Sequence, residues 1–312
     1  MKQFGMLLAP VIATVALAAS ANASSVTQQS GGALTPHVIP FKLKDNVIKL
    51  QATVDGKKVT AVLDSGSGGV IVSKALAAKL GLQLHVNPSI QAGGGGTKKQ
   101  TIFPIKLHDV QFGPLDLHNV SGYAINMHPL SESSGFKIDA LLGYPFFQNH
   151  AIRINYPKRT VTIYPTGKTP TCANPIPIKI IYHVPVVTTK IVARTGAKAQ
   201  TYQLIVDLGS RHYSYLGAAF LKTKTGKALF TRGHPKQVGV GTGGVMKGVA
   251  AKLAQLYIGN QHFHDVNFAL TRSAKVFNSQ KLNGSLGVPL WKDGIITFNY
   301  PDKTLCIDTP HE

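Results

Sequence analysis

The chain has 312 residues, of which 44% are hydrophobic and 15% are charged. This composition is typical of a globular protein and excludes a disordered one. The length is sufficient for two lobes that each bury a sizeable core. Lysine and arginine number 33 against 13 acidic residues, which gives a formal net charge of +20. The basic residues are scattered in short pairs without a nucleic-acid-binding motif, so nucleic acid is not an expected partner.

The first 23 residues have the pattern of a secretory signal peptide. Lys2 supplies the positive start, residues 6–18 an apolar run, and Ala21-Asn22-Ala23 a cleavage site of small residues. A retained anchor is the alternative, but the run is short, and no other stretch could span a bilayer. We therefore expect an exported protein, periplasmic or secreted, with no membrane span after signal removal. Its positive charge then indicates either an anionic binding partner or depletion of carboxylates in an acidic compartment.

The first half of the chain alternates strand and turn signals after a leader. Residues 24–40 are predicted to form a flexible leader, because their first part is rich in Ser, Gln, Gly and Thr. The predicted elements that follow are a strand at 47–54, a hairpin turn at Asp55-Gly56, a strand at 58–63 that leads into Asp64, a helix at 73–80, a glycine-rich hairpin tip at 93–96 and strands within 103–127.

The second half repeats this order after a linker predicted at 165–177, where Pro, Thr and Gly are frequent. The predicted elements are strands at 186–193 and 201–206, the latter leading into Asp207, a counterpart of the short helix at 213–221 and a counterpart of the glycine-rich tip at 239–244. Residues 239–244 also match the dinucleotide fingerprint G-x-G-x-x-G. No apolar strand precedes them, so a hairpin tip is favoured over nucleotide binding.

Two motifs recur at a nearly constant spacing. The run Ala61-Val62-Leu63-Asp64-Ser65-Gly66-Ser67 returns as Leu204-Ile205-Val206-Asp207-Leu208-Gly209-Ser210. Each run predicts a buried strand that ends in a sharp turn and leaves a carboxylate at the strand end. Asn155-Tyr156-Pro157 likewise returns as Asn299-Tyr300-Pro301, so the offset is 143 at the Asp (207−64) and 144 at the Asn (299−155). The chain therefore contains an internal duplication.

These motifs resemble those of the pepsin-like aspartic proteases, each half being similar to a retroviral-type protease lobe. Asp64-Ser65-Gly66-Ser67, the following Leu141-Leu142-Gly143 and their imperfect second copies carry the resemblance, which covers about residues 41–307. It implies an all-β fold, mostly β with short helices, in two duplicated lobes at 41–166 and 167–312. It also implies a monomer that acts on polypeptides without a cofactor or a metal.

The resemblance assigns catalysis to Asp64 and Asp207, which would share one proton because like charges so close cannot both ionise. Gly66 and Gly209 would direct backbone N–H groups at the carboxyls, and Ser67 and Ser210 would supply outer hydroxyls that bond to them. Ser65 would hydrogen-bond across to the other lobe, but Leu208 stands where the second copy needs a hydroxyl. Arg211 and His212 follow directly, and a cation there would favour an ionised Asp and disturb the shared proton.

Three further features have alternative interpretations. Gly93, Gly94, Gly95 and Gly96 match a flap over the substrate, or form a mobile surface hairpin without a ligand. Cys172 and Cys306 can form a disulfide, which export favours, or remain a free loop thiol and a buried strand residue. His262 and His264 share one face of a strand and could begin a metal site, but a solvated strand face is favoured.

The sequence therefore predicts an exported aspartic endopeptidase whose Asp64/Asp207 pair activates a water molecule. The alternative is a catalytically weak or inactive relative that binds peptides in the same cleft, and Leu208 keeps this alternative open. A cationic protein that binds anionic components of the cell envelope is a third hypothesis, supported only by the charge.

Overall fold

The computed structural model describes residues 27–28, 35–85, 91–92, 95–96, 100–278 and 281–309. The predicted signal peptide, residues 1–23, lies outside this part of the chain. The fold is mostly β, with two barrel-like lobes and short helices, as the sequence predicts. No helix among the described residues is long and apolar enough to cross a membrane.

The first half forms lobe one and part of the sheet between the lobes. Its strands are β1 Thr27–Gln28, β2 His37–Pro40, β3 Lys42–Lys44, β4 Val47–Val54, β5 Lys57–Leu63, β6 Val70–Ser73, β7 Gln91–Ala92, β8 Gln100–Thr101, β9 Phe103–Phe112, β10 Leu115–Ile125, β11 Ala140–Leu142, β12 Ala151–Asn155 and β13 Thr160–Ile163. Its helices are α1 Lys74–Lys79, α2 His128–Ser134 and α3 Tyr144–Phe147.

The second half forms lobe two and the rest of that sheet. Its strands are β14 Ile176–Ile181, β15 Val184–Val192, β16 Gln200–Val206, β17 Ser214–Leu216, β18 Lys236–Gly241, β19 Gly244–Ile258, β20 Gln261–Thr271, β21 Gly284–Leu286, β22 Ile295–Asn299 and β23 Thr304–Asp308. Its helices are α4 Ala218–Leu221, α5 Lys224–Arg232 and two 3-10 turns, Lys275–Asn278 and Val288–Leu290.

Local sequence explains the elements that lead to the first Asp. Strand β4 alternates apolar and polar residues, and Asp55 and Gly56 turn the chain with φ of 44° and 72°, as an Asp-Gly hairpin requires. Helix α1 begins where the Ser73 hydroxyl accepts the N–H of Leu76, and it ends before Gly81 at φ 70°. The predicted hairpin and the predicted short helix are thus confirmed.

The two lobes share one strand topology. Strand β5 runs parallel to β11, which is also antiparallel to β6; in lobe two, β16 runs parallel to β21, which is antiparallel to β17. The backbone N–H of Asp64 donates to Leu142 O and that of Asp207 to Leu286 O, both at 3.0 Å. The duplication in sequence is therefore a duplication in structure, and it leaves each Asp at the same end of its strand pair.

Six strands at one end of a continuous 13-stranded sheet join the lobes, in the order β14-β23-β22-β12-β13-β2. At its centre β12 pairs with β22, and Arg153 lies opposite Thr297. These two residues are 144 positions apart (297−153), which is the offset of the repeat, so an approximate two-fold axis passes between them. Phe147 and Phe298 pack edge to face beside this sheet at 5.5 Å between ring centroids.

Cys172 and Cys306 form a disulfide, with Cα atoms 6.0 Å apart. It ties the segment between β13 and β14 to strand β23 of the sheet between the lobes. Residues 164–175, most of the predicted linker, contain no helix or strand. The lobe limits at 41–166 and 167–312 stay predictions.

Three expectations from the sequence need correction. Residues 27–28 and 37–40, predicted to belong to the flexible leader, form β1 and β2, which pair with β10 and β13, because open sheet edges offer backbone partners. Residues 213–221, predicted as a helix, begin with β17, which pairs with β20 and β21 before α4 starts. Helix α2 was not predicted: no side chain caps its start at Met127, although Pro129 in its first turn suits a helix N-terminus.

Candidate active site

The two predicted Asp residues meet between the lobes. In each motif a tight turn returns the Ser backbone to the Asp, since Ser67 N–H donates to Asp64 O and Ser210 N–H to Asp207 O, both at 3.2 Å. Asp64 Oδ1 accepts the N–H of Gly66 at 2.9 Å, and Asp207 Oδ1 accepts the N–H of Gly209 at 2.8 Å. The structure thus brings both carboxyls together with the predicted glycine donors.

Each carboxyl also lies against the glycine of the opposite motif. A Cβ atom on Gly66 would lie 2.4 Å from Asp207 Oδ1, and one on Gly209 would lie 2.9 Å from Asp64 Oδ1. Side chains do not tolerate contacts this short, so both positions require glycine. Two features therefore require the glycine of each Asp-x-Gly motif: the tight turn of its own motif and the close approach of the carboxyl from the other lobe.

The environment of the pair favours a protonated carboxyl. Both side chains keep some accessible surface, but the surrounding protein raises the pKa of Asp64 and Asp207 above the usual carboxyl range by desolvation. The charge of Asp207 raises the pKa of Asp64 further, against the hydrogen bond from Gly66. Each carboxyl influences the pKa of the other, so the two groups titrate as one pair.

The outer hydroxyls differ between the lobes. Ser210 Oγ donates to Asp207 Oδ2 at 2.8 Å, as expected from the sequence. It also lies 3.2 Å from the Ser285 hydroxyl. Ser67 Oγ instead donates to Gly69 O at 3.0 Å, so the expected bond to Asp64 is corrected. A backbone carbonyl two residues away captures this hydroxyl. Only Asp207 gains a hydroxyl donor from its own motif.

Ser65 forms the expected bridge between the lobes. Its buried hydroxyl donates to Val206 O at 2.7 Å and accepts the N–H of Leu208 at 3.0 Å. The Leu208 side chain is fully buried and joins the hydrophobic core. It has no hydroxyl to return the same pair of bonds to lobe one, so the bridge is one-sided.

Arg211 does not perturb the pair as the sequence suggested. Its guanidinium binds Asp45 Oδ2 in lobe one, and it donates to the backbone and the hydroxyl of Ser133, both at 3.0 Å. His212 Nε2 lies 3.2 Å from the other oxygen of Asp45. The nearby cation is therefore matched by its own carboxylate. Sequence reasoning missed Asp45 and Ser133, because they are remote in the chain and belong to no motif.

Both lobes, rather than one, place a glycine-rich hairpin tip over the carboxyls. Of the predicted flap residues, Gly93 and Gly94 lie outside the described residues, whereas Gly95 and Gly96 are described. Gly95 O accepts the N–H of Gly243 at 2.9 Å, and Gly96 forms a β-bridge with Gly243. The fingerprint-like segment 239–244 is thus the tip of the β18–β19 hairpin and opens no helix, which excludes the dinucleotide interpretation.

A cavity of about 180 Å³ lies between the carboxyls and the two tips. Its walls are largely apolar on both sides of the pair. The apolar lining residues are Val47, Val62, Leu130, Ile138 and Leu141 from lobe one and Tyr215, Val240, Met246 and Phe277 from lobe two, and Ser134, Arg211, His212 and Thr242 also line the cavity. Tyr215, which the sequence did not single out, donates to Val238 O at 2.8 Å and so fixes the base of the second hairpin. Burial and the charge of Asp207 raise its pKa.

His262 and His264 lie apart from this site, with ring centroids 4.0 Å from each other on strand β20. The ring of His262 also stacks on Tyr257. Among the described residues no group of three or more His, Cys, Asp or Glu side chains is placed to hold a metal ion. The histidines form an aromatic stack on a strand face.

Comparison with known proteins agrees with this site. Residues 50–146 match the aspartyl protease family. Among solved structures, a retropepsin-like aspartic protease from Rickettsia conorii is similar to 45% of this chain and 94% of its own, with 19% sequence identity and a TM-score of 0.31. No curated protein matches the chain. The matched segment contains Asp64, and the internal repeat places Asp207 in the same arrangement outside it.

Proposed function

We propose that the chain is an exported aspartic endopeptidase that hydrolyses peptide bonds with a water molecule activated by Asp64 and Asp207. The observation that carries this proposal is the pair of carboxyls held together by the two glycine turns, with a pKa raised by burial. Such a pair keeps one proton, so it contains an acid and a base at the same time.

The hydrogen bonds favour one assignment of these roles. Asp207 accepts the Ser210 hydroxyl in addition to its glycine N–H, and donors to a carboxylate favour its ionised form. Asp207 is then the base and Asp64 the acid of the resting pair. Asp207 takes a proton from water while the water oxygen attacks the carbonyl carbon, and Asp64 hydrogen-bonds the developing oxyanion. Collapse of the tetrahedral intermediate breaks the C–N bond, and the amine leaves with a proton from the pair.

The cleft supports an extended polypeptide as the substrate. Apolar residues line it on both sides of the carboxyls, and separate apolar clusters of the two lobes lie behind these walls. An extended peptide could place one apolar side chain against each wall. Because both carboxyls belong to one chain, the site is complete in a monomer. The disulfide and the signal-like start of the sequence support export to the periplasm or beyond.

The test is cleavage of a denatured protein by the purified mature chain from strongly acidic to neutral pH, with and without a pepstatin-type inhibitor. We expect inhibitable cleavage with an acidic optimum. Asp64→Asn and Asp207→Asn should each abolish it while circular dichroism stays unchanged. Unaltered proteolysis by either folded variant would refute the mechanism.

Leu208 favours a second candidate, a peptide-binding relative with weak or no cleavage, because the bridge to lobe one has only one hydroxyl. A folded wild-type chain that binds the inhibitor but cleaves nothing at any pH would support it. Salt-sensitive binding to anionic envelope polymers that survives both Asp→Asn substitutions would instead support the charge-based hypothesis.

A further inference from the structure

The second catalytic motif lacks one of its supports. Ser65 holds the segment around Leu208 from lobe one, but the buried Leu208 side chain offers no hydroxyl in return. Ser65 contacts this turn only near its start, at Val206 and Leu208. The residues after Ser210 therefore need another contact to lobe one. Catalysis requires that Asp207 keep its position to within a fraction of an ångström, so this support has functional weight.

Arg211 occupies that flank and makes four hydrogen bonds to lobe one. Its guanidinium contacts Asp45 and donates to Ser133 O and Ser133 Oγ, both at 3.0 Å. Its backbone carbonyl accepts from Asn46 Nδ2 at 2.9 Å. The residue thus connects lobe two to the β3–β4 turn and to α2 of lobe one.

The surroundings of Arg211 fit a fixed support. Its side chain is only 10% exposed, so its charge depends on its protein partners. The planar guanidinium can bind a carboxylate and a hydroxyl at defined angles, which a lysine cannot. Asp45 and Asn46 adopt φ of 50° and 59°, a region in which Asp and Asn are the least strained non-glycine residues. The turn is therefore shaped to present both side chains to Arg211.

We propose that Arg211 is a positioning residue that replaces the missing hydroxyl at Leu208. It acts through Ser210, its chain neighbour, whose hydroxyl donates to Asp207 Oδ2. Lobe one then grips the second motif at two points, the Ser65 hydroxyl before Gly209 and the Asp45–Ser133 pair after Ser210. The catalytic consequence rests on the proposed peptidase function, whereas the grip itself does not.

A double-mutant cycle on the mature chain tests the replacement. Arg211→Ala should lower kcat about 10²-fold, the loss expected for a displaced catalytic group, with little change in KM. Leu208→Thr restores a hydroxyl and should raise the activity of Arg211→Ala at least about tenfold while changing the wild type little. The matched control is Arg272→Ala, which removes an arginine that packs on Phe230 within lobe two. It should leave kcat unchanged.

Equal effects of Leu208→Thr in the wild type and in Arg211→Ala would overturn the proposal. If Leu208→Thr does not fold, Asp45→Asn decides, because Asn tolerates the positive φ and removes only the charge. A fall in kcat at an unchanged melting temperature supports positioning, and an unchanged kcat refutes it. If the wild type cleaves nothing, the proposed function fails. The melting temperatures of the wild type, the two single variants and the double variant still test the support: non-additive changes would show that residues 208 and 211 stabilise the same turn.

Discussion

At the residue scale, the contact of each carboxyl with the opposite glycine is the most restrictive feature. Gly66→Ala should reduce kcat/KM by about 10²-fold or more, because its Cβ would displace Asp207 Oδ1. Gly69→Ala is the matched control, since a Cβ there has no atom within 4 Å. Steady-state cleavage of one peptide by both variants checks this. Equal activities would show that the Asp207 carboxyl lies farther from Gly66 in solution.

The unequal outer hydroxyls predict unequal effects on the pH profile. Ser210→Ala removes a donor to the ionised Asp207, so the pKa of that base rises and the acidic limb of kcat/KM against pH moves upward. Ser67→Ala removes a bond to Gly69 O and should leave the limb in place. The two profiles are measured on the same substrate. A shift of equal size in both would contradict the assignment of Asp207 as the base.

At the element scale, the disulfide constrains the ends of a long stretch of chain. Cys172 and Cys306 are 134 residues apart, and closing so long a loop restricts the unfolded chain strongly. The double variant Cys172→Ser/Cys306→Ser should lose about 2–4 kcal/mol of unfolding free energy. Urea unfolding with and without reductant measures this. The double variant should not respond to reductant, and an oxidised wild type as labile as the variant would refute a stabilising role.

The sequence predicts those elements that repeat and misses those that depend on distant partners. The Asp-x-Gly-Ser turns and the strands before them follow from local pattern and duplication, and the Ser65 bridge follows from the resemblance to the pepsin-like proteases. The hydrogen bond of the Ser67 hydroxyl does not, because it donates to the backbone carbonyl of Gly69, whereas the matching Ser210 hydroxyl donates to Asp207 Oδ2. Nor does the contact of Arg211 with Asp45, 166 positions away, since no local signal links a cation to a carboxylate so remote.

At the scale of the whole molecule, the buried pair has a cost in stability that depends on pH. The pKa of Asp64 is higher in the folded protein than its value of about 3.9 in the unfolded chain. Between these two pKa values the folded protein keeps a proton that the unfolded chain loses. The free energy of unfolding due to this carboxyl therefore falls as the pH rises from about 4 to the folded-state pKa. Below about pH 4 the carboxyl is protonated in both the folded and the unfolded state, so burial of the pair has no pH-dependent cost there.

Asp64→Asn removes this titration and its coupling to Asp207, and it changes no other side chain. The melting temperature of the variant minus that of the wild type should therefore increase with pH between about 4 and 8. Both proteins share the large positive charge of the rest of the chain, so its repulsion cancels in the difference. A difference in melting temperature that stays constant between about pH 4 and 8 would show that Asp64 titrates as an ordinary carboxyl.

The register of the central strand pair bears on how such a chain could arise from a smaller one. Arg153 faces Thr297 across the two-fold axis. Two separate copies of the first half, assembled about the same axis, would set Arg153 against its own image, and like charges directly opposite repel. Covalent fusion lets one half keep the arginine while the other holds a neutral residue. The same freedom lets Leu208 differ from Ser65 and Ser67 differ in its bonding from Ser210, so linkage of the halves is what permits an asymmetric catalytic pair.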